Sequence, residues 1–322
     1  MKTSERYKNV LRAAENLIGN KRFDEARAIL EPMMDEAAAI GAVLGSRTSL
    51  GLPRRLQSTL LKLAKSEADL IRKIAYQYHL VPPPGTIARH VAFNADERRR
   101  MAAAMTAPVP RVIHQIWIGT KPAPVTIEAW KAHADAHGYR HRLWQEDDLR
   151  AAGVYENAVF NAMLDAGDYP GAVDVARYLI LGQAGGIYLD CDWFPARRDA
   201  SFHDVLPLTG LGAFAENIPR NTGAGTTLLA NSFIAAPPAH PIFAKMVGAM
   251  PDIHAELPGA PAWWTTGPLL FTVAARATAI NLAPADFVAA SAPATAAPDN
   301  LKHLASKAES TASGLLIAWK PW

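Results

Sequence analysis

From about Pro108 onward, short strand-like segments alternate with helix-like segments, and this alternation constrains the fold more than any other feature of the chain. The segment RVIHQIWIG (111–119) is rich in β-branched residues and ends at a glycine, which is typical of a buried strand. EAWKAHADAHG (128–138) predicts a helix, and YRHRLWQ (139–145) predicts a second strand. Such alternation predicts an α/β domain with a largely parallel sheet, which binds ligands at the carboxyl ends of its strands.

Later segments continue the alternation. IYLDCDWF (187–194) follows two glycines, is apolar up to its aspartates and predicts one strand. The segment before it, AVDVARYLILGQAGG (172–186), predicts a helix that ends at a glycine C-cap. The other predicted elements are helices over 151–166, 240–250 and 268–277 and strands over 210–217 and 231–237.

The first eighty residues have Ala, Leu and Ile at a spacing that predicts helices. A break at Gly19 and Asn20 predicts a helical hairpin, and residues 54–80 predict one further helix. The hairpin resembles half of a tetratricopeptide repeat, but stable arrays need about three units. We therefore expect a small helical cap or interaction module, and its sequence leaves open whether it binds a protein partner, an acceptor polymer or a membrane edge. The predicted boundaries are a helical region at 1–82, a linker at 83–107 and the α/β domain at 108–322.

Composition excludes several classes of protein. The 322 residues carry a net charge of +3 without long basic runs, which argues against a nucleic-acid-binding protein. No apolar stretch approaches the ~18 residues that span a bilayer, and the first residues lack the apolar core of a signal peptide. The single cysteine, Cys191, excludes an intrachain disulfide and a zinc site made of thiolates. We therefore expect a cytoplasmic protein whose metal ligands would be oxygen or imidazole.

Asp190 and Asp192 flank Cys191 at the point where an apolar segment ends. On a continuous strand their side chains would point to the same face, and two adjacent anions repel each other. A bound cation would remove this repulsion, and carboxylate oxygens suit Mg²⁺ or Mn²⁺, which often bind substrate phosphates as well. The alternative is that the two aspartates cap or solvate a turn.

Asp174 and Arg177 lie three residues apart on the preceding predicted helix, so they share one helix face. One interpretation is a surface ion pair, which contributes under ~1 kcal/mol to stability. The other is a polar pair that faces the ligand crevice. There the carboxylate would accept hydrogen bonds from sugar hydroxyls, and the guanidinium would stabilise developing charge. The spacing alone leaves both open.

The motifs VIHQIWIG, LW, VDVARYLILGQAGGIYLDCD, NSFIAAPPAHP and TTGP follow one another along the chain. In this order they resemble the DXD-containing sugar transferases of glycosyltransferase family 32. They are more distantly similar to the glucosyltransferase domain of the large bacterial glucosylating toxins. The resemblance covers roughly residues 110–268, and its most specific block is 174–192. It implies a GT-A (Rossmann-like) nucleotide-sugar transferase fold, preceded here by an all-α helical region.

The resemblance also implies an activity. It implies a retaining hexosyltransferase that uses Mn²⁺ or Mg²⁺ and moves a sugar from a nucleotide-sugar donor to the hydroxyl of a glycan or protein acceptor. We expect UDP-hexose rather than GDP-mannose as donor, and a role in surface polysaccharide synthesis. In the same comparison, Asp190 contacts the ribose or sugar of the donor and Asp192 coordinates the ion on the diphosphate. Asp174 and Arg177 match the residues that hold the donor sugar.

Two further residues match the family but have structural alternatives. Trp117 corresponds to a residue near the donor base, where an aromatic ring stacks well, but it could instead anchor the strand in the core. Asn231 corresponds to an asparagine near the donor sugar, but it could also form a strand-edge hydrogen bond. His114 is interpreted as a hydrogen-bonded core histidine on the opposite face of the strand from Trp117.

The C-terminal segment LLIAWKPW departs from the family pattern. Relatives often end with a histidine and then a tryptophan, which complete the metal and diphosphate site. Trp319 and Trp322 are present here, and Trp322 is expected at the donor site, but no histidine lies beside them. The third ligand of the metal is therefore left open among His303, Glu309 and a water molecule.

Two other classes of function compete with glycosyl transfer. Haloacid-dehalogenase-type phosphatases use D-x-D-x-[TV], but Phe194 stands at the fifth position here. A non-catalytic interaction protein, with a helical partner-binding module and a degenerate transferase domain, is the main alternative. The intact pair of aspartates argues against it, whereas the unusual C-terminal segment argues for it.

Overall fold

The computed structural model describes residues 3–40, 44–48, 51–79, 84–215, 228–311 and 314–320. Within these ranges the chain forms two compact units that divide between Pro84 and Gly85. No helix in the described ranges is both long and apolar enough to span a bilayer.

In its described residues the first unit is built from helices, as predicted. Its core is formed by leucines such as Leu30, Leu56 and Leu60, which are almost fully buried. The residues predicted as one helix over 54–80 form two, because the side chain of Asp69 accepts a hydrogen bond from the Arg72 backbone N–H and starts a new helix. The helices are α1 (Thr3–Gly19), α2 (Phe23–Asp35), α3 (Ala37–Ile40), α4 (Arg54–Ser66) and α5 (Leu70–Tyr78).

The segment 83–107, predicted as a linker, contains two helices of the second unit: α6 (Pro84–Ala88) and α7 (Ala95–Ala104). The α7 helix begins at a reciprocal capping box, in which Asn94 and Glu97 each accept from the other's backbone N–H. Its Met101 side chain is buried. Local capping therefore gives this segment regular structure that its composition does not suggest.

The second unit has the predicted α/β character, with nine strands and the remaining helices in its described residues. The strands are β1 (Val112–Ile116), β2 (Arg140–Trp144), β3 (Gly186–Leu189), β4 (Trp193–Pro195), β5 (Leu211–Ala215), β6 (Leu229–Ala236), β7 (Ile280–Leu282), β8 (Val288–Ser291) and β9 (Leu316–Ala318). The helices are α8 (Val125–Ala136), α9 (Glu146–Ala151), α10 (Ala158–Asp165), α11 (Tyr169–Ala184), α12 (Phe202–Val205), α13 (Pro241–Glu256), α14 (Ala262–Thr265), α15 (Pro268–Ala275) and α16 (Pro298–Thr311).

Six strands form the main sheet in the order β2-β1-β3-β6-β5-β7. The β1–β2, β1–β3 and β5–β7 pairs are parallel, whereas β6 is antiparallel to both of its neighbours. Three of the five strand pairs are parallel, so the sheet is parallel-rich, with β6 as its antiparallel strand. The α/β prediction with an N-terminal helical region is confirmed.

Two predicted elements are divided in the structure. The helix predicted over 151–166 is interrupted at Gly153, which has a positive φ of 74°, and α10 starts only where Asn157 caps it. The strand predicted over 187–194 is two strands, β3 in the main sheet and β4 in a separate three-stranded sheet of order β4-β9-β8. Asp190, Cys191 and Asp192 form the turn between them. The same-face argument for a continuous strand therefore does not apply to the two aspartates.

Candidate functional site

The helix α11 and the strand β3 position the acidic turn, which we define as Asp190 to Asp192, at the carboxyl end of β3. Asp168 caps α11 by accepting from the Gly171 backbone N–H at 3.0 Å. Gly185 and Gly186 then reverse the chain with positive φ values of 61° and 108°. A Cβ atom at Gly186 would lie 2.8 Å from the His114 ring and from the Val112 carbonyl oxygen, so only glycine lets β3 pack this closely on β1.

Arg177, on α11, is the centre of a buried polar cluster. Its side chain is only 4% exposed, and its Nη2 atom lies 3.1 Å from one carboxylate oxygen of Asp174 and 3.1 Å from one of Asp190. Its Nη1 atom donates to the backbone carbonyl of Asn231 at 2.5 Å. The guanidinium also lies over the Tyr188 ring, 4.4 Å from its centroid. These contacts hold Arg177 in one position, so the pair with Asp174 is not a solvated surface ion pair.

Asp174 is held by three partners. Its Oδ1 atom accepts from the Asn231 amide at 2.7 Å, and its Oδ2 atom accepts from the Thr266 hydroxyl at 3.1 Å. Burial raises the pKa of Asp174 to about 6, although Arg177 acts in the opposite direction. The turn before α15 brings Thr266 onto this carboxylate.

The side-chain amide nitrogen of Asn231 forms two hydrogen bonds inside the protein. It donates to Asp174 at 2.7 Å and to the Tyr178 hydroxyl at 3.1 Å. The structure therefore places Asn231 on β6 in the buried cluster around Asp174, rather than in a strand-edge hydrogen bond, and its position near the donor sugar stays a prediction. A cleft lies next to this cluster. Arg177 lines that cleft, whereas Asp174 and Asn231 do not.

A cleft of about 390 Å³ opens beside this cluster, which is within the usual size range of small-molecule sites. Trp117 is partly exposed in it, with its Nε1 atom donating to the Lys121 carbonyl oxygen at 2.9 Å, so the ring lines the cleft rather than the core. The polar and aromatic residues of the lining are Trp117, Thr120, Lys121, Tyr169, Arg177, Tyr188, Asp190, Cys191, Asp192 and Lys320.

Asp192 fits the prediction of a cation site. Its Oδ1 atom is buried and has no hydrogen-bond partner among the described residues. Burial, followed by repulsion from Asp190, raises the pKa of Asp192 to about 7. A divalent cation would satisfy the buried oxygen and offset the repulsion, and the oxygen donors of Asp192 and Asp190 suit Mg²⁺ or Mn²⁺.

Neither side chain that the sequence left open as a third ligand of that cation lines the cleft, and no group of three His, Cys, Asp or Glu side chains in the described part of the chain is arranged to hold a metal. His303 is exposed on α16. Glu309, on the same helix, accepts from the Arg198 backbone N–H at 2.7 Å, outside the cleft. Trp322 lies outside the described residues.

Tyr188 and Lys320 contribute to the site but were not predicted. The Tyr188 hydroxyl donates to Asp190 Oδ1 at 2.7 Å. The sequence contained a signal that could have identified Tyr188, because Tyr188 stands two residues before Asp190 on the predicted strand. No such signal existed for Lys320, which reaches the cleft through the pairing of β9 with β4.

His114 is the hydrogen-bonded core histidine that was predicted. Its ring accepts from the Trp144 indole N–H at one nitrogen, at 3.0 Å, and donates from the other to the Gly185 carbonyl oxygen, at 2.9 Å. Burial lowers the pKa of His114 to about 4, so the ring is neutral at physiological pH. It supports the α11–β3 turn and lies outside the cleft lining.

Residues 126–206, which contain the acidic turn and the Asp174–Arg177 pair, match the family model of the glycosyltransferase sugar-binding region containing the DXD motif. The resemblance to DXD-containing sugar transferases is confirmed. This glycosyltransferase-like chain is 27% identical over 174 residues to inositol phosphoceramide mannosyltransferase 3 of Schizosaccharomyces pombe, which covers 52% of this chain and 45% of that protein. It is 31% identical over 144 residues to an uncharacterized glycosyltransferase of Acanthamoeba polyphaga mimivirus, which covers 42% and 53%.

The chain spans about half the length of these two curated relatives. Among solved structures it is similar to the PaToxG glycosyltransferase, with 19% sequence identity and a TM-score of 0.42. That alignment covers 60% of this chain and 77% of the other.

Proposed function

We propose that this chain is a divalent-metal-dependent glycosyltransferase that moves a hexosyl group from a nucleotide-sugar donor to an acceptor hydroxyl. The observation that carries the proposal is the buried ionic cluster of Asp174, Arg177 and Asp190, which opens onto a cleft beside the unpartnered oxygen of Asp192. The match of residues 126–206 to a sugar-binding region supports it.

Each residue has a role that follows from its contacts. Arg177 lines the cleft with a fixed positive charge, which stabilises the negative charge that develops on a departing diphosphate. Asp190 uses Oδ1 for Arg177 and Tyr188 in the described contacts, and its Oδ2 atom would accept a hydrogen bond from a donor hydroxyl. A cation on Asp192 would act as a Lewis acid on the diphosphate.

We propose retention of configuration at the transferred sugar, as the resemblance implies. The bond between the sugar and the diphosphate would break first. The acceptor hydroxyl would then attack the anomeric carbon from the same face and pass its proton to the departing diphosphate, without a covalent intermediate on the protein. Mass spectrometry of the intact protein, quenched during turnover, tests this step. Capture of a stable glycosyl adduct on Asp190 or Asp192 would contradict it.

The donor and the acceptor are identified by experiment. UDP-hexose remains the donor predicted from sequence, whereas the name of the Schizosaccharomyces pombe relative supports the inclusion of GDP-mannose and of a hydroxylated lipid headgroup as acceptor. We would measure thermal unfolding with Mn²⁺ and each of UDP, GDP, CMP and dTDP. Ligand at 100 times its dissociation constant stabilises the folded state by about 2.7 kcal/mol. This corresponds to roughly 5 to 10 °C for a chain of this size.

The same experiment includes two variants with the same change of charge. Asp192→Asn should abolish the Mn²⁺-dependent shift, whereas Asp147→Asn, on the exposed surface of α9, should retain it. A folded protein that binds none of the nucleotides would favour the alternative of a non-catalytic interaction protein. That alternative rests on the lack of a third metal ligand among the described residues.

A further inference from the structure

Lys320 is fixed at the cleft by the small second sheet. The strand β9 pairs antiparallel with β4, with Trp193 opposite Ala318. The next residue, Trp319, donates its backbone N–H to the Asp192 carbonyl oxygen at 2.8 Å. Lys320 therefore follows directly after a backbone contact with the acidic turn, and its side chain lines the same cleft as Asp192 and Arg177.

The side chain of Lys320 is exposed, and it forms no ion pair with a carboxylate in the described ranges. Arg177, by contrast, is already shared between Asp174 and Asp190.

No histidine lies beside Trp319 in the sequence, and His303 and Glu309 do not line the cleft, so a lysine is the titratable side chain that this segment brings to the cleft. A lysine cannot bind a cation in its charged form, because an ammonium group has three donors and no acceptor. It is suited instead to an anion, and hydrogen bonds between charged groups are about twice as strong as neutral ones.

We propose that Lys320 binds the diphosphate of the nucleotide-sugar donor directly, from the β9 side of the cleft. This inference rests on the proposed function and assigns part of it to a residue that the family resemblance does not include. The cation at Asp192 and the ammonium of Lys320 would then neutralise the same phosphates from two adjacent positions.

The test uses the full chain with three variants. Lys320→Met removes the charge, Lys320→Arg keeps it, and Lys131→Met removes one charge from the exposed face of α8, outside the cleft. Calorimetry measures the affinity of the tighter of UDP and GDP in Mn²⁺. Electron paramagnetic resonance measures the binding of Mn²⁺ alone.

We expect Lys320→Met to bind the nucleotide diphosphate at least tenfold more weakly, with Lys320→Arg within threefold of wild type and Lys131→Met unchanged. Mn²⁺ alone should bind Lys320→Met as tightly as wild type or more tightly, because a neighbouring positive charge has been removed. Equal weakening of Mn²⁺ and nucleotide would show a structural role and overturn the inference, as would unchanged nucleotide affinity. Wild-type protein that binds Mn²⁺ but neither nucleotide would overturn the proposed function as well.

Discussion

At the scale of single residues, the site is built around one buried arginine whose partners are themselves held in place. Asp174 does not reach the cleft lining, yet it fixes Arg177, and Asn231 fixes Asp174 in turn. Removal of one member leaves another buried group without a partner, which costs more free energy than the lost hydrogen bond contributes. The stability and the activity of the protein are therefore coupled through these side chains.

Asn231→Ala tests this coupling. The substitution removes the donor to Asp174 Oδ1, and we expect the free energy of unfolding to fall by about 1–3 kcal/mol. Nucleotide affinity should change less than turnover, because Asn231 does not line the cleft. Denaturant unfolding and steady-state kinetics provide the two measurements. Asn161→Ala, which removes a half-buried amide that donates to the Tyr155 carbonyl oxygen, is the control and should leave turnover unchanged.

The titration of Asp192 gives a second prediction. Burial raises its pKa from 3.8 to about 7, so in the folded state without cation the carboxyl binds its proton more tightly than in the unfolded state. Its contribution to stability is then fully present below about pH 4 and is lost as the pH rises through 7. Asparagine does not titrate, so we expect the stability of Asp192→Asn not to fall in this way as the pH rises. The difference in melting temperature between the variant and wild type, measured without divalent cations, should grow in favour of the variant from pH 5 to pH 8. A constant difference would contradict the raised pKa.

At the scale of secondary-structure elements, the short connection from α11 to β3 controls where the acidic turn lies. Gly186→Ala would place a Cβ atom 2.8 Å from the Val112 carbonyl oxygen at a φ of 108°, and we expect it to destabilise the fold by at least about 1–3 kcal/mol. Gly248→Ala, inside α13, meets no atom within 4 Å and should stabilise the protein by about 0.4–1 kcal/mol. Thermal unfolding of both variants compares the two effects. Equal stability would show that the α11–β3 turn tolerates a side chain.

The elements that could be predicted are those whose signals are local. The helix over Asp174 and Arg177 and the strand after Gly185 and Gly186 were recognised, because caps, glycines and apolar spacing lie within the segment itself. The division of residues 187–194 into β3 and β4 was missed, because it depends on β9, a strand far away along the chain. The antiparallel insertion of β6 beside β3 was missed for the same reason. Local patterns identify a strand but do not identify its neighbours.

At the scale of the whole molecule, every described residue of the site belongs to the second unit, whereas the first unit has its own core. Leu60, on α4, is almost fully buried in that core, and Leu60→Ala should destabilise it by about 2–5 kcal/mol. Nucleotide affinity of the folded protein should not change. Hydrogen exchange measures the loss of protection in residues 3–79, and calorimetry measures the affinity. A parallel loss of affinity would show that the helical unit supports the site.

The pairing of β4 with β9 also has a consequence for how the molecule is made. The chain is synthesised from its N-terminus, so the turn from Asp190 to Asp192 leaves the ribosome well before residues 316–320. Until those residues arrive, β4 has no partner strand from β9, and the wall that carries Lys320 does not exist. A nascent chain would therefore expose Asp190 and Asp192 without the ammonium group of Lys320 in the same cleft. The cleft is completed only after residues 316–320 have been made, when the other strands of the main sheet are already available to fold.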